Sequence, residues 1–345
     1  MAGQAEADGA AQRRTLAALI GGYRATQMIG VAARLGVADH LAAGPQGAGH
    51  LATTLGVQVD ALLRLLRGLV NLGLLVESAG AETAALFSLT PLGEGLRGDV
   101  PGSQRAWAIW EGDLSYRAWG ALDHSVASGE TAFEHVFGRP FFDYLGEHPQ
   151  TGEQFNRAMT DFSLAIGAAV AGEYDFAPYR TVVDLGGGRG HLLAAILSRH
   201  PALHGTLFDL PHLVPTAQAY LDGVGLRDRV SVVGGDFFVS VPPADLYVLS
   251  HIVHDWDDAR SVRLLRVCRE AVQPQGRLLI VEKYIPEPMV RGAVPPGTDV
   301  NMLVLTGGRE RTEGEYRALL GAAGWRLERV LPTSSISSIF EALPR

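Results

Sequence analysis

The second half of the chain alternates short apolar runs with longer stretches of helical periodicity. Thr181–Asp184, Gly205–Asp209, Val230–Val233, Ala244–Ser250 and Arg277–Glu282 read as buried strands, rich in β-branched and aliphatic residues. Between and after them lie helical patterns from His191 to His200, Asp258 to Val272 and Asp299 to Leu305. A further helix follows Thr312, with Glu315 three residues on as a capping box. Arg326–Leu331 and Ser335–Ala342 read as two late strands. This alternation predicts an α/β fold, a mostly parallel sheet covered on both faces. In such a sheet ligands lie beyond the carboxyl ends of the strands. Asp184, Asp209 and Glu282 all fall at such ends, and Asp236 just past one.

The first half has a different rhythm. Gln12 to Ala43 is helical, with Leu16, Leu19, Ile20, Tyr23, Met28, Val31 and Leu35 on apolar faces, too many for a lone surface helix. Residues 1–11 are small and polar and are expected to fray. A short helix over His50–Leu55, a longer one capped by Asp60, and a hairpin over Val76–Thr90 make a helix–turn–helix with a wing. Residues 101–178 read as connecting helices rich in aromatics, including Trp107, Trp110, Tyr116, Trp119, Phe141, Phe142, Tyr144 and Phe155. Those side chains suit either helix packing or the wall of a pocket for a flat substrate. The expected domains are 1–100, a helical and winged-helix unit; 101–178, connecting helices; and 179–345, the α/β domain.

Charge bears on the wing. Residues 1–100 carry seven arginines and eight acids, and only Arg64 and Arg67 lie on the would-be recognition helix. The whole chain has a net charge of −8. A nucleic-acid reader needs the opposite balance, so a dimer-forming role is favoured over a DNA-binding regulator. One cysteine, Cys268, leaves no internal disulfide and fits a reducing cytoplasm. No apolar run is long enough for a membrane span, and residues 1–15 lack the apolar core of a signal peptide.

The glycines after the first strand carry the first candidate chemistry. Gly186-x-Gly188-x-Gly190 lets backbone approach a ligand that any Cβ would block, and the following helix start offers free N–H groups. Asp184 ahead of them would repel a pyrophosphate but suits a cofactor with a cationic end, and Asp209 can take a ribose diol. The pattern favours S-adenosylmethionine (SAM) over a dinucleotide or a bare packing turn.

The second constellation is Leu249-Ser-His-Ile-Val-His-Asp-Trp-Asp-Asp258, with His251, His254, Asp255, Asp257 and Asp258 close together. A helix N-terminus capped by Asp255 or Asp257, a metal site and a general base are the three readings. No paired histidine spacing on one helical face supports the metal. A phenol, with pKa ~10, needs a base before it can attack a methyl group, and an imidazole of pKa ~6.5 is a suitable one. Glu282, ending the next strand, is the expected partner of the His254 ring, since neighbouring strand ends lie about 4.8 Å apart.

Taken together, Asp184-Leu-Gly-Gly-Gly-Arg-Gly190, Phe208-Asp-Leu-Pro211, Gly235-Asp-Phe237, His254-Asp-Trp256 and Gly307-Gly-Arg-Glu-Arg-Thr312 resemble the small-molecule SAM-dependent O-methyltransferases of the plant caffeate and bacterial polyketide-tailoring type. The resemblance covers nearly the whole chain. It implies a class I methyltransferase domain with a Rossmann-like seven-stranded sheet, behind an N-terminal winged-helix dimerisation domain. It implies His254 as base, flanked by Glu282 and Glu310. It implies SAM on Asp184, Gly186, Gly188, Gly190, Asp209, Leu210, Asp236, Phe237 and Ser250. Ser250 stands where plant members often carry a lysine. Expected substrate contacts are Trp110, Phe142, Phe155, Met159, Phe162, His251, Asp255, Asn301 and Met302. A homodimer without metal, acting on an aromatic small molecule in secondary metabolism, is the expected state. Relatives that keep the SAM site for hydroxylation, decarboxylation or pericyclic chemistry are the alternative within enzymes.

Overall fold

The structure, a computed structural model, describes residues 2–80 and 85–345, with the side chains of all of these but 2–8, 161 and 162. The chain divides into two compact units, Met1–Tyr116 and Arg117–Arg345. The division falls inside the stretch expected as connecting helices, so each unit takes part of it.

In the first unit the long helical pattern is three helices, Ala2–Ile20, Tyr23–Leu35 and Val37–Leu41. Gly21-Gly22 separates the first two, and Gly36 ends the second in the left-handed conformation (φ 71°), where a side chain would be strained. The chain is helical from Ala2, within the segment expected to fray. Helices Ala48–Leu55 and Val59–Asn71 follow. The second is capped not by Asp60 but by Gln58, whose side chain accepts the Ala61 N–H at 2.6 Å. Strands β1 (Gln46–Gly47), β2 (Leu75–Ala79) and β3 (Ala85–Leu89) form a small antiparallel sheet in the order β1-β3-β2, the expected wing. Part of the wing tip lies outside the described residues. Leu51, Leu62, Leu66, Leu69 and Phe87 make the core of this unit. Arg67, one of the two cations on the Val59–Asn71 helix, is paired with Glu77 at 3.0 Å. Leu16, Leu19, Ile20 and Tyr23 are exposed.

The second unit begins with aromatic-rich helices and continues into the α/β layers. Its strands are β4 (Thr181–Leu185), β5 (His204–Asp209), β6 (Val230–Gly234), β7 (Ala244–Ser250), β8 (Val272–Glu282), β9 (Trp325–Pro332) and β10 (Ser338–Pro344). They form a seven-stranded sheet in the order β6-β5-β4-β7-β8-β10-β9. The first five in that order run parallel, while β10 is antiparallel to β8 and β9. This is the class I methyltransferase fold.

Alternation along the strands explains why helices cover both faces. Val182, Leu246, Val248, Leu279 and Val281 bury in one core, and Val183, Leu185, Tyr247, Leu249, Leu278 and Ile280 in the other. The chain winds one way from β4 to β5 and the other way from β4's second neighbour, β7, to β8. A crevice for ligands opens at such a reversal, and here it falls between the glycine corner and the His254 turn. Among the described residues no helix is long and apolar enough to cross a membrane.

Candidate active site

The glycine corner follows β4. Gly186, Gly188 and Gly190 all have positive φ (70°, 56° and 89°), so L side chains there would be strained. A Cβ on Gly186 would lie 2.4 Å from Ile252 Cδ1, which brings the corner directly against the His254 segment. At Gly188 the same position meets nothing within 4 Å, so backbone there faces open space. Asp184 is buried, and its Oδ2 has no hydrogen-bond partner among the described residues. Burial, reinforced by the charge of Asp209, raises its pKa to about 7. A buried carboxylate oxygen left without a partner, beside an open glycine backbone, fits a ligand with a cationic end.

Asp209 binds the corner from the next strand. Its Oδ2 accepts the Gly188 N–H at 2.7 Å and its Oδ1 the Leu210 N–H at 2.7 Å. A carboxylate has about four lone-pair sites, so capacity remains for a diol. Leu210 is exposed beyond it. Asp236 is exposed and its Oδ1 accepts the Phe238 N–H at 2.8 Å, while Phe237 packs half-buried against Phe238 and Trp256. Ser250 is half-buried at the end of β7, paired in register with Val281.

His254 sits on a 3-10 turn, Val253–Asp255, between β7 and the helix Asp258–Ala271. That helix is capped by Asp257, which accepts the Arg260 N–H at 2.8 Å. His254 is buried, and its Nδ1 lies 3.1 Å from Glu310 Oε1. Its Nε2 is 3.8 Å from Asp255 Oδ1.

Glu282 was expected to hold the ring, and it does not. Its Oε1 accepts the backbone N–H groups of Ile252, Val253 and His254 at 3.1, 2.6 and 3.0 Å. Its Oε2 accepts the hydroxyl of Tyr316. Adjacent strand ends do bring Glu282 to the turn, but the turn's unpaired N–H groups take the carboxylate. The ring's partner comes instead from the loop after the helix Thr298–Leu305.

Two residues that sequence reasoning did not single out keep that loop on the turn. A Cβ on Gly308 would lie 1.9 Å from the His254 carbonyl oxygen, so only glycine permits the approach. The neighbouring Arg309 N–H then donates to that same oxygen at 2.8 Å. Arg311, fully buried, donates to Asp258 at 2.8 Å, to the Val253 carbonyl at 3.1 Å and to the Trp256 carbonyl at 2.9 Å. Both residues belong to the Gly307–Thr312 motif, whose sequence signal is strong but does not show which side chain does what.

The electrostatics follow from three acids around one imidazole. Burial opposes charge on His254, but Glu282, Asp255 and Glu310 outweigh it and raise its pKa to about 9. Asp255 is pushed up to about 7, by burial first, against the pull of His254 and with the push of Glu282 and Glu310. Burial raises Glu282 as well. His254, Glu282 and Glu310 offer ligand atoms within 4.8 Å of one another.

Of the expected substrate contacts, several gather around this turn. Phe142 lies tilted against Trp256, ring centroids 5.6 Å apart. Phe155 and Met159 are half-buried on the helix Pro149–Glu173, which Glu153 ties to Arg189 of the glycine corner at 2.7 Å. Met302 is buried, and Asn301 accepts a hydrogen bond from Trp119 Nε1 at 2.9 Å. Trp119 thereby fixes the amide, whose NH2 group has no hydrogen-bond partner among the described residues. Asp299 of the same helix accepts the Glu310 N–H at 2.9 Å. His251 faces the His254 ring at 5.1 Å. Trp110 is buried and belongs to the first unit, while the side chain of Phe162 lies outside the described residues.

A glycine corner and a buried histidine–glutamate pair at the switch point of this sheet define a class of enzyme, the SAM-dependent methyltransferases. Comparison with known proteins gives the family. The O-methyltransferase domain family matches residues 119–326, and the O-methyltransferase dimerisation domain residues 17–97. Phenazine O-methyltransferase PhzM of Lysobacter antibioticus is 44% identical over 330 residues, 94% of each chain. O-demethylpuromycin-O-methyltransferase of Streptomyces alboniger is 42% identical, covering 97% of this chain and 89% of that one. The solved structure of NcsB1, an O-methyltransferase from neocarzinostatin biosynthesis, holds SAM and 2-hydroxy-5-methyl naphthoic acid. It matches with a TM-score of 0.82 and 35% identity, over 93% of this chain and 96% of that one. The chain belongs to the O-methyltransferase family, and is a SAM-dependent O-methyltransferase carrying the family's dimerisation domain.

Proposed function

We propose that this enzyme methylates a hydroxyl group of an aromatic small-molecule natural product, with His254 as the general base. The observation that carries the reading is the 3.1 Å contact between His254 Nδ1 and Glu310, which leaves Nε2 for the substrate. Bound SAM supplies a methyl group on a cationic sulfur. The glycine corner, Asp184 and Asp209 would hold it, and the aromatic set around Phe142 and Trp256 would hold the acceptor ring. In the neutral form of the imidazole Glu310 keeps the one ring proton on Nδ1, so that Nε2 presents its lone pair. His254 Nε2 would take the hydroxyl proton and so ready the oxygen to accept the methyl group that SAM supplies. Glu310 and Glu282 then stabilise the imidazolium. The exposed Leu16, Leu19, Ile20 and Tyr23 support a homodimer formed through the first unit.

The base is poised by its acids, and this gives the experiment. A pKa of about 9 means the imidazole is mostly charged at neutral pH in the ligand-free enzyme. Only the neutral form can accept a proton. The rate therefore rises about tenfold per pH unit below the pKa and levels off above it. The sulfonium charge disfavours the imidazolium, so the inflection in kcat lies at lower pH than that in kcat/KM for SAM. Glu282→Gln removes the largest charge raising His254 and moves both inflections down. A profile flat from pH 6 to pH 9 in both parameters contradicts the base assignment.

A further inference from the structure

We infer that Ser337 fixes His251 as its Nδ1–H tautomer, so that a hydrogen-bond donor stands beside His254 and selects acceptors bearing a lone-pair oxygen next to the reacting hydroxyl. It rests on the reading of His254 as the base only in which hydroxyl reacts. His251 has φ of 56°, the sole positive φ on a non-glycine residue among the described residues. That conformation costs energy and is kept where the surroundings hold it. Here it turns the imidazole toward the loop between β9 and β10, where Nε2 lies 2.8 Å from Ser337 Oγ. The ring stands edge-to-face on that of His254, centroids 5.1 Å apart.

Satisfaction of hydrogen bonds decides the tautomer. Ser337 is buried, and its hydroxyl has no partner among the described residues except His251 Nε2. A hydroxyl has one donor, and burying it unused costs about 1–3 kcal/mol. It therefore donates to Nε2, which must be the unprotonated nitrogen, and the ring proton sits on Nδ1. Ser337 cannot easily turn away. Its N–H donates to Ser335 Oγ at 3.2 Å and its carbonyl accepts from Thr333 Oγ1 at 2.5 Å. Burial first, and then the nearby cations His254 and Lys283, keep His251 neutral, so the donor is an imidazole and not an imidazolium. His251 Nδ1 has no partner among the described residues and is not sealed from solvent. A fixed donor beside the base rewards an acceptor with a carboxylate or carbonyl ortho to its hydroxyl. Ser337 is thus a positioning residue acting through His251.

Nitrogen-15 correlation spectra of histidine-labelled full-length enzyme read the tautomer directly, with His251→Asn assigning the signal. Wild type shows a pyrrole-like Nδ1 and a pyridine-like Nε2 at His251; Ser337→Ala loses that preference and Ser337→Thr keeps it. The second arm titrates the complex with S-adenosylhomocysteine (SAH) against 1,4-dihydroxy-2-naphthoate and 1,4-dihydroxynaphthalene, which lacks the carboxylate. Wild type binds the first about tenfold more tightly, the worth of one such hydrogen bond. Ser337→Ala narrows the ratio toward one, and Ser337→Thr restores it. His254→Ala keeps the ratio, so failure of the base assignment would leave this result standing. A proton on Nε2 in wild type overturns the inference. So does the absence of a preference between the two naphthalenes, absent binding included.

Discussion

His254→Ala lowers kcat by about 10²–10⁴-fold, the usual worth of a positioned general base, and leaves the affinity for SAH unchanged. The size follows from the chemistry of the acceptor. At neutral pH a phenol of pKa ~10 is about one part in a thousand ionised, so without a base few molecules can attack. Binding survives because the groups assigned to SAM lie at the end of β4 and in the glycine corner after it, at the end of β5, in the loop after β6 and at Ser250 ending β7, and none bonds to the His254 side chain. The acceptor's pKa supplies an internal control. Acidic phenols, already ionised, lose much less than weakly acidic ones when the imidazole is removed. Equal losses across such a series would mean that position 254 shapes the pocket and moves no proton.

Glu282→Ala destabilises the fold by about 3 kcal/mol, more than is expected of an acid that only tunes a neighbouring ring. The carboxylate terminates three N–H groups of the His254 turn and the Tyr316 hydroxyl, all of them in or beside the core. Alanine leaves these donors buried with nothing to accept them. Glu282→Gln retains one oxygen for the turn and loses less. Urea unfolding followed by fluorescence measures both, provided the SAH concentration is held fixed. If Glu282→Ala unfolded at the wild-type midpoint while turnover collapsed, Glu282 would act on the ring or the substrate and not on the turn.

The contrast between these two residues marks how far the chain can be read without its fold. The sheet was legible because buried parallel strands must be apolar and must end in turns, and because glycine at 186, 188 and 190 has a stated backbone purpose. That Asp184, Asp209 and Glu282 meet at one edge followed from strand direction alone. What Glu282 does there did not follow. Strand spacing brings its carboxylate to the His254 segment, but the competition between a ring nitrogen and three backbone donors depends on the 3-10 turn. No periodicity in three residues announces such a turn. Glu310 was available only through family likeness, since a loop acid carries no spacing signal, and its place depends on Gly308 tolerating contact with the His254 carbonyl. In the first unit the pattern over Gln12–Ala43 showed the helices but not their ends. Glycine at 21, 22 and 36 was the signal, outweighed by the continuity of the apolar positions. The contacts of Ser337 and Trp119 were beyond reach, because each joins a residue far away in the chain.

The most direct measurement is the fate of a labelled methyl group. Enzyme is incubated with SAM carrying a CD3 group and with a panel of hydroxylated naphthoates, benzoates and phenazines, and products are resolved by mass and by the site of label. The account predicts SAH in equal amount to a product that has gained one CD3 on a hydroxyl oxygen, with the reaction strongly slowed in His254→Ala. Conversion of an acceptor without label while SAM stays intact, or label on carbon alone, would contradict it.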